Sequence, residues 1–429
     1  MADAVSRTAP SPWRQSLALL CTRRFGTFWV ASLLANIGTW AQQVAQPWLM
    51  LSLGASPFLL GLDAFALGAP TLALTLVGGL LADRADRRRT ITAFQSVQML
   101  CPVLLVVLVL THTAQPWLVV ALSLVVGVTD ALSMPSFQTI VPSIVPRAQI
   151  ARGIALNTTQ FNLSRILGPA VAGALMASVG LAGAFAVSAL SYLPFILVAL
   201  WVLPPGVAHP VDGDDGRIGH RQLWAGVRGV LREADLRWAL LTVLSAATLC
   251  APLITFVPVL VKDEFGGGAT HFSSAMGAFG VGGLLGAALL LAVPLERDRR
   301  PLNAGGAAAF GLVVIAVALN HWLWALPLLL ALAGLLMTTS NASGNALLQA
   351  SAPAHLRGQA VSLFMLAMRG GVALGSLWTG AVVHGLGVRG ALLLNGALAL
   401  VLQLAIGWRW LGRSRAAVRM APHETRSPP

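Results

Sequence analysis

The stretch Gly79-Leu-Leu-Ala-Asp83-Arg84-Ala-Asp86-Arg87-Arg88-Arg89-Thr-Ile91 sets two acids and four arginines between two apolar runs, residues 58–82 and 90–111. Each run can cross the roughly 30 Å hydrocarbon layer of a bilayer, which takes about 20 apolar residues as a helix. The charged knot between them is too polar to enter that layer, so it turns the chain around at a membrane surface. Ten more runs flank this pair: 27–53, 116–140, 153–179, 181–203, 237–261, 272–294, 302–320, 322–347, 358–383 and 389–411. Lipid admits only helices with internally satisfied backbones or closed barrels, and nothing here alternates with period two like a barrel strand. The expected fold is an all-α polytopic membrane protein with twelve transmembrane helices in two six-helix bundles.

The whole chain agrees with this local reading. Its 429 residues are 56% hydrophobic and only 10% charged, with mean hydropathy +0.77. A soluble domain carries about 25% charged residues. The net charge of +13 raises nucleic-acid binding as a function, and the distribution of the charge excludes it. Of 28 Lys and Arg, all but Lys262, Arg389, Arg165 and Arg369 lie in the termini and in alternate loops. That is a positive-inside pattern. It places both termini in the cytoplasm and the protein in the cytoplasmic (inner) membrane, with membrane lipids and no nucleic acid as partners. No removable signal peptide is evident, and Trp13 to Phe25 reads as a short interfacial segment. Cys21, Cys101 and Cys250 lack metal-like or disulfide-like spacing and read as packing residues.

The largest interruption, Pro204 to Asp235, divides the chain into six crossings plus six. Residues 1–203 form the first expected bundle, 204–236 a cytoplasmic linker, 237–411 the second bundle, and 412–429 a cytoplasmic tail. Within the linker, His220 to Glu233 sets Leu223, Trp224, Val227, Val230 and Leu231 along one helical face, which suggests an amphipathic helix on the membrane surface. Two dipeptides recur 205 residues apart: Arg152-Gly153 as Arg357-Gly358, and Gly180-Leu181 as Gly385-Leu386. A parallel duplication of this kind places a substrate site between the halves, near the midplane.

Charges inside hydrocarbon cost about 2.5–3.5 kcal/mol each on insertion scales, so they need partners or water. Four stand in the apolar runs: Asp63, Asp130, Arg165 and Arg369. Arg165 and Arg369 fall near the midplane, one in each half, where they can present positive field to an anionic group. Asp130 lies at similar depth and is the first choice for a carboxylate that takes up and releases protons. Asp63, less than two turns from the extracellular end, is the second. Structural ion pairs fastening helices are the competing reading for all four. Asn36, Trp40 and Gln43 share one face of the first run, with Gln42 and Gln46 beside it; Asn341, Asn345 and Gln349 share a face around the end of the tenth. Interhelical hydrogen-bonding glue competes here with a polar cavity lining. Trp117, Trp322, Trp324, Trp408 and Trp410 sit near helix ends, as interfacial belts do. No GxxxxGK[ST] loop, HExxH pair or Cys/His cluster occurs, so no catalytic residue, metal or cofactor is expected, and the protein is not expected to be an enzyme.

The opening stretch resembles the signature loop between helices 2 and 3 of the major facilitator superfamily, with Asp86 replacing the usual second Gly. The resemblance implies a cytoplasmic gate of Gly79, Asp83, Arg84, Arg87 and Arg88, in which Asp83 meets the positive end of the eleventh helix, near Arg357–Val361. Asp86 adds an acid able to pair locally with Arg89. Arg165-Ile-Leu-Gly168-Pro169-Ala-Val-Ala-Gly173 resembles the Gly-Pro motif of the fifth helix in family exporters, which marks Gly168, Pro169 and Gly173. Asn36 to Trp48 and Leu347 to Gly358 are similar to the branch of enterobactin and macrolide exporters. In that family helices 1, 4, 7 and 10 line the cavity. The resemblance therefore implies a polar lining that includes Asn36, Trp40, Gln43, Gln46, Asn341 and Asn345, while Arg165 and Arg369 join the expected cavity by their midplane depth. It implies a monomeric exporter of amphiphilic small molecules, drug-like compounds or siderophores, that works by alternating access in exchange for protons. A lipid or lysolipid flippase, or a transporter-derived receptor that binds without translocating, is the alternative.

Overall fold

A computed structural model describes residues 12–84, 86–203, 227–294, 298–353 and 356–420. Helices account for nearly all of them, and no strand occurs among the described residues. Nine helices among the described residues are long and apolar enough to cross a membrane. One of these, Arg357–Trp410, is two helices merged across Gly387, whose φ of 70° and ψ of 169° are not helical. Two more polar helices, Arg23–Ser52 with 30 residues and Ile150–Ser178 with 29, also have spanning length. The architecture is thus consistent with twelve crossings, with ends within a few residues of those read from hydropathy except the last, where helix continues to Met420, nine residues into the expected tail.

The faces turned away from the protein are apolar, as lipid requires. In helix Arg87–Leu110, Leu100, Leu104 and Val107 are exposed while Cys101 and Leu105 are buried. Trp117, Trp322, Trp324 and Trp408 are exposed near helix ends, as expected of belts. Trp410 is the exception: it is buried, and its Nε1 donates to Asp235 Oδ1 at 2.8 Å, so its position is fixed by a hydrogen bond inside the protein.

Two compact units emerge. One comprises residues 1–45, 73–114 and 128–211, the other 46–72, 115–127 and 212–429. In the first, Phe25, Phe28, Ile91, Ile140 and Phe195 share a core. The short helix Pro12–Leu20 contributes Leu19 to that core, so the segment before the first crossing is packed into protein at this point. In the second, Leu236, Leu240, Leu348, Phe364 and Trp410 form a core with Val230. Residues 227–232 are helical, and Val230 is fully buried there, so this part of the linker helix packs one face against protein. Leu223 and Trp224 lie outside the described residues.

Backbone geometry also refines the internal repeat. Gly54, Gly180, Gly266 and Gly387 all have φ between 61° and 74° and close the short turns before four helices. The first pair of hairpins in each half thus turns on Gly54 and Gly266, and the last on Gly180 and Gly387. The partner of Gly180 is therefore Gly387, and Gly385, its match in the dipeptide repeat, is an ordinary helical residue.

Candidate substrate and proton sites

In the first unit the polar residues gather on helices Arg23–Ser52 and Ile150–Ser178. The Arg165 guanidinium lies 5.4 Å from the centre of the Trp40 ring, a cation–π distance. Phe161 meets the same indole edge-on, with centroids 6.0 Å apart at 66°. Asn36 Nδ2 donates to Gln160 Oε1, and Gln160 Nε2 donates to Asn157 Oδ1, both at 3.3 Å. The Gly-Pro motif supports this cluster directly. A Cβ on Gly168 would collide with the Trp40 Cβ and stand 3.1 Å from the Ala41 nitrogen. Only glycine lets the two helices approach closely enough to hold the indole in place. Pro169 and Gly173 are buried within the same helix.

Of the paired glutamines, Gln42 is buried and accepts a hydrogen bond from Ser188 Oγ at 3.1 Å, while Gln43 is exposed. Asp130 is half-buried, with Ser133 Oγ donating to its backbone carbonyl at 3.4 Å.

The second unit holds Asp63, which is 8% exposed. Gln46 Nε2 donates to both carboxylate oxygens, at 3.1 and 3.0 Å, and Ser123 Oγ donates to Oδ1 at 2.6 Å. Three helices thus converge on one carboxylate through neutral donors, and no Lys or Arg lies within ion-pair reach among the described residues. Sequence reading found Asp63 and Gln46 and missed Ser123, which looks like any small residue in an apolar run. On helix Leu326–Ser351, Gln349 Nε2 donates to Asn345 Oδ1 at 3.1 Å, and Asn341 is half-buried one turn earlier. Arg369 is half-buried in the helix that follows.

The arginine-rich signature loop takes a definite turn. Asp86, with φ −64° and ψ 115°, caps helix Arg87–Leu110, and its side chain accepts from the backbone N–H groups of Arg88 at 2.8 Å and Arg89 at 3.2 Å. The expected local pairing with Arg89 is thus to the backbone amide. The φ is one that any residue adopts, so the usual glycine is not needed, and the aspartate satisfies two orphan amides instead. The side chains of Gly79, Asp83, Arg84 and Arg87 lie outside the described residues.

Lys262 and Arg389, the two cations at the arginine-poor ends, have structural partners. Lys262 Nζ donates to the Leu51 carbonyl at 2.7 Å, near the C-terminus of helix Arg23–Ser52. It stands in a single π-helical turn, Leu260–Glu264, and nearby Trp48 stacks on Phe272 at 5.7 Å. Arg389 pairs with Glu264 at 2.6 Å and donates to the Ala318 carbonyl at 3.1 Å and to that of Asn320, at the end of helix Arg300–Leu319. Both cations meet helix C-termini, where the last carbonyls and the helix dipole favour positive charge.

Long apolar helices enclosing scattered polar clusters make this a multi-pass helical membrane protein, and the match to known sequences makes it a transporter of the major facilitator superfamily. The chain belongs to the transmembrane secretion effector family of that superfamily, whose model matches residues 14–429. It is 24% identical over 351 residues to the staphyloferrin A transporter of Staphylococcus aureus (strain NCTC 8325 / PS 47), covering 82% of this chain and 87% of that one. It is 26% identical over 339 residues to the multidrug efflux pump Tap of Mycolicibacterium fortuitum, covering 78% and 82%. Macrolide efflux protein A of Enterococcus faecalis is 24% identical over 233 residues, covering 54% and 70%. A crystal structure of a mutant of the nucleoside transporter NupG has the same fold, with TM-score 0.76 at 13% identity over 90% of this chain and all of that one. So does an inward-facing bacterial homologue of the human lysosomal transporter Spinster, with TM-score 0.67 at 15% identity over 97% of this chain and all of that one. The family and these relatives are transporters rather than enzymes.

Proposed function

We propose that the protein exports amphiphilic small molecules, drug-like compounds or siderophores, across the cytoplasmic membrane in exchange for protons. Two six-helix bundles, residues 1–203 and 237–411, rock about a cavity in this reading, with both termini in the cytoplasm. The signature loop of Gly79, Asp83, Arg84, Arg87 and Arg88 holds the cytoplasmic gate. Efflux relatives support the direction of transport. Asn36, Trp40 and Arg165 offer a planar, positively biased surface to a substrate ring or acidic group, and Gln43, Gln46, Asn341, Asn345 and Arg369 complete the polar lining.

The observation that carries proton exchange is the Asp63 cluster. Among the described residues, the carboxylate buried against the neutral donors Gln46 and Ser123 has no Lys or Arg within ion-pair reach to hold it ionised. A proton is then the natural charge-compensating partner when the site is closed to water. Asp130 is the second candidate. Inverted vesicles energised to an acidic interior test both, challenged with cationic dyes, macrolides and siderophores while lumenal pH is recorded. Compound-dependent proton release should occur with the unaltered chain and be lost in Asp63→Asn. Loss in Asp130→Asn with Asp63→Asn unaffected would move the coupling site to Asp130. Release by neither the unaltered chain nor any variant, despite compound binding, would remove proton antiport.

A further inference from the structure

A cavity of about 510 Å³ opens at the arginine-rich end of the second unit, lined by Leu290, Arg299, Ala342, Asn345, Gln349 and Arg357 among others. Among the described residues its lining contains two arginines and no acid. Asp298, the acid adjacent to Arg299, is turned to other work: its Oδ1 accepts from the backbone N–H of Arg300 at 2.9 Å and lies 3.9 Å from the Arg300 Nε. Arg300 in turn pairs with Asp235 at 2.7 Å. Neither Arg299 nor Arg357 has an acidic partner among the described residues.

Arg299 is the N-cap of helix Arg300–Leu319, and Arg357 is the first residue of helix Arg357–Met420. Two helix N-termini therefore add their positive ends to two guanidinium groups on the same cavity. The amides are arranged to help. Gln349 Nε2 is spent on Asn345 Oδ1, which leaves the Asn345 amide nitrogen as a further donor beside the arginines. Two guanidinium groups on one cavity repel one another, and an anion with several oxygens relieves this while taking up the planar forks of arginine.

We propose that this cavity is an anion-binding site that takes a small ligand bearing carboxylate or phosphate oxygens. Arg299 and Arg357 clamp the charge and Asn345 orients it. The same chemistry is offered by a soluble polycarboxylate arriving from the aqueous side and by the headgroup of an anionic lipid. The site stands whether or not the protein proves to be an exporter, because its binding needs no turnover.

The test uses the full chain in nanodiscs of phosphatidylcholine, titrated with citrate and with inorganic phosphate at constant ionic strength and followed by thermal unfolding. Citrate should raise the Tm saturably. Arg299→Gln with Arg357→Gln should weaken it by at least about tenfold, and the double lysine variant should retain part of the binding. Asn345→Asp, which supplies an internal carboxylate, should abolish citrate binding in a protein that remains folded, so the test survives if the double glutamine variant does not fold. A second set of nanodiscs contains phosphatidylglycerol. If that lipid stabilises the unaltered chain and competes with citrate, the occupant is a headgroup; if citrate binds equally well in both lipids, it is a soluble anion. No Tm response to citrate, phosphate or phosphatidylglycerol, or a response undiminished in both Asn345→Asp and the double glutamine variant, would overturn the proposal.

Discussion

Asp86 occupies the one position where the signature loop departs from its usual residues, and its side chain accepts two backbone amides of the helix it starts. Asp86→Ala should cost about 1 kcal/mol as a lost N-cap, whereas Asp86→Gly should cost only a few tenths. Thermal unfolding of the purified variants in one detergent distinguishes the two. Gly168 makes a different kind of contribution, since its missing Cβ leaves room for Trp40. Gly168→Val should force the helices apart, at a cost of about 1–3 kcal/mol, and shift the intrinsic tryptophan fluorescence as the indole leaves its contact with Arg165. At this scale the sequence was partly legible. Asn36, Trp40, Asp63 and Gln46 could be picked out because polar groups in apolar runs are conspicuous. Which of Gln42 and Gln43 turns inward could not be read, because adjacent helical positions differ by about 100° and only the packing of the neighbouring helix decides between them. Lys262 and Arg389 were legible only as exceptions to a charge pattern. Their roles depend on carbonyls that belong to helix ends distant in sequence.

Helices were the most legible elements, because crossing a bilayer imposes both a length and a composition. The less legible features were the turns between them. A glycine in a short connection can serve flexibility, close packing or positive φ, and sequence alone does not separate these. The dipeptide repeat therefore selected Gly385, whereas the residue with positive φ is Gly387. This difference is measurable. Nothing lies within 4 Å of a Cβ added at either position, so any cost is conformational rather than steric. Gly387→Ala should lose about 1–3 kcal/mol by forcing a side chain into a region of positive φ and extended ψ that is essentially reserved for glycine. Gly385→Ala, in a helix, should be neutral or gain about 0.5–1 kcal/mol. Paired unfolding curves would check both.

Over the whole molecule, the division into compact units falls between helices at residues 114 and 115 but cuts three helices internally: at residues 45 and 46 in Arg23–Ser52, 72 and 73 in Pro57–Arg84, and 127 and 128 in Pro116–Gln138. Hydropathy could not reveal this, since it divides a chain only at its loops. Pro47 and Pro70 stand inside the first two of these helices, within three residues of the boundary. Each removes one rung of the backbone ladder and crowds the carbonyl four residues earlier. The mechanical consequence belongs to the transport cycle proposed above: if the protein works by alternating access, Pro47 and Pro70 are the places where these helices bend most easily. In such a cycle the turnover rate would be set by how easily those two points bend. Pro47→Ala and Pro70→Ala should therefore leave equilibrium binding of a transported dye within about twofold while slowing its transport severalfold, as read by stopped-flow efflux from vesicles.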